Sequence, residues 1–230
     1  MKKNILLIGG SHGIGKAIAS KIADYSNVYI ASRTSEGLGE IMCTHITFDA
    51  TTDALDLDKV PDELHGFIYL PGSINLKPFK MLPTDTFEKD MQLNFFSLVN
   101  VVHQIMPRLA EGASMVFFST VAVGTGMPFH TSVAASKGAI EGFAKSLAAE
   151  YAPKLRVNVI APSLTDTSLA KRLLNNDKKR EMMAERHPLK RVGTADDIAN
   201  TAIFLLKDDS SWMTGQILGV DGGMSTLNVN

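Results

Sequence analysis

From one end of the chain to the other, short apolar runs alternate with stretches of helical periodicity, and this alternation limits the possible folds more than any other feature. Strands buried on both faces read as near-continuous apolar segments, and strands joined by crossover helices lie parallel in one sheet. The pattern predicts strands at residues 4–8, 28–31, 44–48, 66–70, 114–119, 156–161 and 217–220. Between them the spacing predicts a helix over 13–25, with Ile14, Ile18, Ile22 and Tyr25 on one stripe, and a long one over 84–109 that Pro107 ends or bends. Further helices are predicted over 134–150, 166–186 and, opened by Thr194 as N-cap, 194–206. Residues 32–41, with Ser35, Gly37 and Gly39, carry no helical stripe, so the second crossover helix is short or missing. Seven strands with crossover helices imply an α/β fold, one doubly wound parallel sheet with helices on both faces, as a single domain over residues 1–230.

Composition narrows the function classes. Lys and Arg total 23 against 24 Asp and Glu, a net charge of −1, so the broad positive field that nucleic-acid backbones reward is missing. The hydrophobic fraction of 45% with 20% charged residues is that of a chain that folds alone. Cys43 is the one cysteine, which leaves neither an internal disulfide nor a multi-cysteine metal site to expect. The apolar run that follows Lys2-Lys3 is cut by Gly9-Gly10, too short for a secretion signal, and no stretch approaches the roughly 18 apolar residues of a membrane span. A soluble, cytoplasmic protein without nucleic-acid or membrane partners is expected.

Gly9-Gly10-Ser11-His12-Gly13-Ile14-Gly15 lies between the first strand and the first helix. At such a place a pyrophosphate can sit on exposed helix N–H groups, and the missing side chains let the main chain approach the phosphates. A plain tight turn is the other use of the same glycines.

The spacing from Gly9 through Gly13 to Gly15 resembles the short-chain dehydrogenase/reductase family rather than the G-x-G-x-x-G fingerprint. The resemblance spans essentially the whole chain: Asp49 after the third strand, Asn94, the window Val133-Ala134-Ala135-Ser136-Lys137, Pro162, and the ending Thr214-Gly215-Gln216 to Val220-Asp221-Gly222-Gly223. It implies a seven-stranded Rossmann-type sheet, homodimers or homotetramers built on paired long helices, and a nicotinamide cofactor. Ser32-Arg33-Thr34 end the second strand, where a carboxylate would accept a ribose hydroxyl and cations would bind a ribose phosphate. A guanidinium with two hydroxyls predicts NADPH in preference to NADH, and His12 can assist. By resemblance Asp49 and Ala50 flank the adenine, Gly72 follows the fourth strand beside the cofactor, and Pro162, Thr165 and Thr167 line the nicotinamide side.

The family's carbonyl reduction uses Asn, Ser, Tyr and Lys, the lysine four residues after the tyrosine on one helical face, where it lowers the phenol's pKa. Here the lysine is Lys137, the asparagine Asn94, and Thr120 stands at the serine's place, while Val133 stands where the tyrosine is expected and has no exchangeable proton. The tyrosines are Tyr25, Tyr29, Tyr69 and Tyr151, so none is one residue away. Tyr69-Leu70-Pro71-Gly72 replaces the usual Asn-Asn-Ala-Gly, and Ile8 replaces a threonine. His130, seven residues before Lys137, is the first candidate for a substitute proton donor, because imidazole titrates near neutrality; Ser132 and a water held by Asn94 and Lys137 are weaker acids.

Three classes remain open on these residues. One is an NADPH-dependent reductase of a carbonyl or enoyl group on a small or hydrophobic molecule. The others are an NADPH-binding sensor or partner subunit without turnover, and a non-redox enzyme on the same fold. The resemblance implies that residues 164–188 close over the substrate, with Leu169, Leu173, Leu174, Met182 and Met183 as an apolar lid. Leu82-Pro83 and Met127-Pro128-Phe129 are candidates to complete the pocket.

Overall fold

The computed structural model describes residues 2–228. Its elements in chain order are β1 (Lys3–Ile8), α1 (Gly13–Ile22), β2 (Ser26–Ser32), β3 (Thr44–Thr47), β4 (Leu64–Tyr69), α2 (Thr84–Met91), α3 (Ser97–Ile105) and β5 (Leu109–Phe118). There follow α4 (Ala122–Thr125), α5 (Thr131–Tyr151), β6 (Leu155–Pro162), β7 (Thr165–Asp166), α6 (Asp177–Glu185), β8 (Gly193–Thr194), α7 (Ala195–Leu206) and β9 (Ile217–Val220).

Seven strands form one parallel sheet in the order β3-β2-β1-β4-β5-β6-β9. Alternate residues of each strand face opposite sides. Leu6, Ile8, Phe67 and Tyr69 enter a core shared with Leu98, Val102, Ile140 and Leu147 of α3 and α5. Ile5, Leu7 and Ile68 enter the other, with Ile18 and Ile22 of α1 and Ile198 and Ala202 of α7. The chain winds outward from β1 to β3 and then restarts at β4 on the other side of β1. That reversal opens a crevice beyond the carboxyl ends of β1 and β4, where ligands of doubly wound sheets bind.

Each of the seven expected strands and the helix opened by Thr194 has its counterpart, six of the strands within two residues of the expected ends. Thr194 and Asp197 close a reciprocal capping box, the Thr194 hydroxyl accepting from the Asp197 N–H and the Asp197 carboxylate from the Thr194 N–H. Arg191 donates two bonds to that carboxylate, at 2.6 and 2.8 Å, and with them holds its pKa far below the usual carboxylate range.

Other boundaries need correction. α1 stops at Ile22, and Tyr25, counted in its stripe, is exposed because the chain is already turning into β2. β5 starts at Leu109 rather than residue 114, since its first residues pair with β4 across a register shift between Leu64 and Gly66. The stretch 84–109 holds α2, a π-helical segment (Gln92–Phe96), α3 and a 3-10 turn at Met106–Arg108 in which Pro107 ends the helix.

The continuous helix expected over 166–186 is broken. Thr165 and Asp166 pair with Gly193 and Thr194 in a two-stranded ribbon. Only a 3-10 turn at Ser168–Ala170 precedes α6, whose Asn176 N-cap accepts from the Lys179 N–H at 2.9 Å. An asparagine that bonds forward to the backbone starts a helix and does not continue one. Among the described residues no helix is long and apolar enough to cross a membrane.

Candidate functional site

A cavity of about 420 Å³ occupies the crevice at the carboxyl ends of β1, β4, β5 and β6. Its walls bring together Gly9, His12, Gly13, Ile14, Gly15, Gly72, Thr120, His130, Val133, Lys137, Pro162, Thr165 and Thr167, thirteen of the positions singled out in the sequence.

Backbone geometry explains the glycine turn. Gly9 has φ +81°, in the left-handed region, and a Cβ there would also press on the Pro71 ring at 3.2 Å. At Gly15 a Cβ would stand 2.7 Å from the Gly10 Cα, so α1 can lie against the turn only without a side chain at that point. Among the described residues no side chain caps the N-terminus of α1, so its first N–H groups are available to an anion at the positive end of the helix dipole. Gly13 lies against Thr167, which joins the turn to the segment after β6. Ser11 is buried, its hydroxyl 3.0 Å from His12 Nδ1, and does not line the cavity.

The residues expected around the adenosine lie outside this cavity. Arg33 is exposed at the end of β2, close enough to Asp49 to act on its charge. Asp49 accepts from the Thr51 hydroxyl and N–H at 2.7 and 2.9 Å, and these bonds hold its pKa below the usual carboxylate range. Ala50 is half-buried beside it. Ser32 is turned inward, its hydroxyl donating to the Thr34 carbonyl at 2.9 Å with His45 Nε2 at 3.0 Å, so Arg33 and Thr34 are the groups this edge presents.

Asn94 is fully buried in the π-helical segment. Its amide nitrogen donates to the Asp90 carbonyl at 2.8 Å and to the Ser73 hydroxyl at 3.0 Å, while its Oδ1 has no partner among the described residues. A buried amide oxygen without a donor is the exception in proteins and marks a place for a water or ligand hydroxyl. Lys137 is the donor nearby: its Nζ and Asn94 Oδ1 lie 3.3 and 3.4 Å from one point, the place of a missing Cβ on Gly72. Gly72 thus keeps open the gap between an orphan acceptor and a buried cation. Burial pushes the Lys137 pKa down to about 8, against an opposing pull from Asp90.

Val133 lies one turn before Lys137 on α5 and reaches the same cavity, 6% exposed. The Thr120 hydroxyl lines the facing wall and accepts from the Ala122 N–H at 3.3 Å. His130 caps α5, its Nδ1 held 2.7 Å from the Pro128 carbonyl, after Phe129, whose φ of +70° is strained for a phenylalanine. Nδ1 therefore carries a hydrogen, and Nε2 has a proton to give only when the ring is an imidazolium. Ser132, proposed as an alternative donor, is buried and bonded to Asp90 rather than turned to the cavity.

Of the lid residues, Leu169, Leu173 and Met183 line the cavity, with Leu164. Leu174 is in the core, and Met182 points to solvent. Leu82, Pro83, Pro128 and Phe129 are not on its walls, whereas Met127 is. Ser73, Ile74, Leu76, Ser163 and Met224, which the sequence did not signal, complete it together with Arg186 and His187 from the end of the 164–188 segment. His187 Nε2 is 2.8 Å from the Ser163 hydroxyl and its Nδ1 2.8 Å from the Met183 carbonyl, which ties the end of α6 to β6. A lone histidine before a proline gave no sign of that tie.

Comparison with known proteins puts this geometry in context. A family model described as Enoyl-(Acyl carrier protein) reductase matches residues 9–225. The 3-oxoacyl-(acyl-carrier-protein) reductase FabG of Chlamydia muridarum (strain MoPn / Nigg) is 31% identical over 246 aligned residues, covering 98% of this chain and 98% of that protein. Dehydrogenase/reductase SDR family member 4 of Homo sapiens is 29% identical over 241 residues, 96% of this chain and 87% of that protein. Among solved structures, a short chain dehydrogenase family protein from Francisella tularensis subsp. tularensis SCHU S4 superposes with a TM-score of 0.91 at 26% identity, covering 99% of this chain and 100% of that one.

Proposed function

We propose that this chain, which belongs to the short-chain dehydrogenase/reductase family, is an NADPH-dependent reductase of a carbonyl or enoyl group carried by a small or hydrophobic molecule. One observation carries the reading: a single cavity joins the uncapped N-terminus of α1 and its glycine turn to Thr120, His130 and Lys137. The acyl-thioester substrate in the name of the Chlamydia relative makes a 3-oxoacyl group the first candidate.

The residues present fit the nicotinamide dinucleotide. The N–H groups that open α1 would take the pyrophosphate, with Gly9, Gly13 and Gly15 giving it room. Arg33 and Thr34 would take a ribose phosphate, with Asp49 and Ala50 beside the adenine. Lys137 and the orphan Asn94 Oδ1 would meet the nicotinamide ribose and its water. Pro162, Thr165 and Thr167 would stand beside the nicotinamide. Bound there, the cofactor supplies a hydride to the substrate carbon.

The chain itself must orient the carbonyl and protonate its oxygen. The Thr120 hydroxyl donates a hydrogen bond to that oxygen, and the Lys137 ammonium stabilises the negative charge that grows on it. Val133 has no proton to give. His130, as imidazolium, supplies it from Nε2 at the cavity wall while Nδ1 stays bonded to Pro128. The apolar side chains of Leu164, Leu169, Leu173 and Met183 select a hydrophobic substrate body.

A second reading has its own observation. Two methyl groups at Val133, one helical turn from Lys137, suit a protein that binds NADPH without turnover, as a sensor or as partner of an active subunit. Titrating the purified protein with NADPH and with NADH, then offering ketones, aldehydes, quinones and enoyl thioesters, separates the readings. NADPH that binds and is consumed supports the reductase. Binding without consumption supports the sensor, and the absence of binding removes both.

A further inference from the structure

Asp90, on α2, is 1% exposed and belongs to none of the roles above. Taking a carboxylate out of water is costly unless donors replace the lost solvent. Three side chains do so: the Ser73 and Ser132 hydroxyls donate at 2.6 and 2.5 Å, and the Asn75 amide donates at 2.7 Å. Ser73 in turn accepts from Asn94 Nδ2, so its own hydrogen is directed at Asp90. The cluster is built as an acceptor site for an anion, drawn from the loop after β4, from α2 and from the first turn of α5.

A structural tie needs no net charge, and a neutral side chain would join the same three elements. What the charge adds is on the far side of Asn94. Lys137 is 7% exposed and has no direct bond to Asp90, but the two are joined through Ser73, which donates to Asp90 and accepts from Asn94 Nδ2, and through Asn94 Oδ1, which meets Lys137 Nζ at the Gly72 gap. In a medium of low dielectric the attraction between the two charges is far less screened than at the surface.

We propose that Asp90 is a positioning residue of this site: its carboxylate is the buried counter-ion that keeps Lys137 an ammonium at the cavity wall. The inference rests on the reductase reading for its purpose, since a neutral amine would neither stabilise an alkoxide nor compete with water for a ribose hydroxyl. Burial draws the Lys137 pKa down to about 8, and Asp90 opposes that drift. Other charged groups around the pair are placed differently. On α2, Asp85 and Lys89 pair with each other at 2.8 Å in solvent, and Glu88 is exposed. On α5, Glu141 takes the Ser119 hydroxyl. Across the cavity stand His12, His130, Arg186 and His187, which as cations oppose a charge on Lys137 and none of which can replace a carboxylate.

The test is the titration of Lys137 in the ligand-free protein, read from its side-chain carbon resonance in lysine-labelled samples and assigned by its disappearance in Lys137→Met. In Asp90→Asn the midpoint should fall by about one unit, a tenfold weaker hold on the proton. Asp90→Ser serves the same purpose where Asn does not fold. Ser132→Ala, which breaks a bond of the cluster and keeps the charge, should leave the midpoint in place. The pH limit above which NADPH affinity falls should move down with the midpoint in Asp90→Asn. A midpoint unchanged in both Asp90 variants, or one that Ser132→Ala moves as far, would overturn the role. A wild-type protein that ignores NADPH would instead sink the reductase reading and leave the titration result standing.

Discussion

Val133 and Lys137 stand one helical turn apart on α5 and line the same cavity, so a side chain without a proton occupies the position next to the buried cation. Val133→Tyr would put a phenol beside that ammonium. Because a well-placed general acid contributes about 10²- to 10⁴-fold, kcat with a ketone substrate should rise by at least tenfold in this variant. Steady-state kinetics on one ketone and one enoyl thioester provide the check. An unchanged or lower kcat would mean that the substrate oxygen lies elsewhere in the cavity.

His130→Gln removes the imidazole and cannot form an imidazolium. A fall in kcat of about 100-fold is expected, with KM little changed. If His130→Gln retains the wild-type kcat, another group is the donor.

Lys137 makes a stability prediction of unusual sign. Its folded pKa of about 8 lies below the unfolded value, so between those limits the unfolded chain binds more protons and stability rises with pH. At pH 7 its burial therefore costs about 3 kcal/mol, an order-of-magnitude figure, and that cost fades as pH rises through 8 toward 10.5. Lys137→Met should raise the Tm at pH 7 by several degrees, lose that advantage near pH 10, and weaken NADPH binding at least tenfold. Thermal melts at the two pH values, with a binding titration, decide it.

At the edge proposed to hold the adenosine, Arg33→Asp replaces the guanidinium with a carboxylate near Asp49. A charge-assisted bond to the ribose phosphate is worth about 1.5–3 kcal/mol, so NADPH affinity should fall at least tenfold while NADH affinity holds or improves. The ratio of the two dissociation constants measures this directly, and an unaltered ratio would place the phosphate elsewhere.

The sheet and most of the cavity wall were legible in the sequence because they rest on local rules. Apolar runs buried on both faces, a glycine turn before a helix, and the i, i+4 spacing of Val133 and Lys137 all act over a few residues. What was not legible depends on distant partners. Asp90 sits in an acidic, solvated-looking helix, and its burial follows only when Ser73, Asn75 and Ser132 converge on it. The break in the lid came from a two-residue pairing of Thr165-Asp166 with Gly193-Thr194, which no periodicity announces. Ser32 counted as a phosphate ligand until His45, on the neighbouring strand, engaged its hydroxyl.

The most direct measurement is the nicotinamide absorbance of NADPH mixed with the purified protein and a panel of ketones, aldehydes, quinones and 3-oxoacyl and enoyl thioesters. Substrate-dependent loss of the reduced nicotinamide signal, abolished in Lys137→Met and lowered in His130→Gln, is the expected result. NADPH that binds tightly yet is consumed with no member of the panel would contradict the reductase assignment and leave a binding protein in its place.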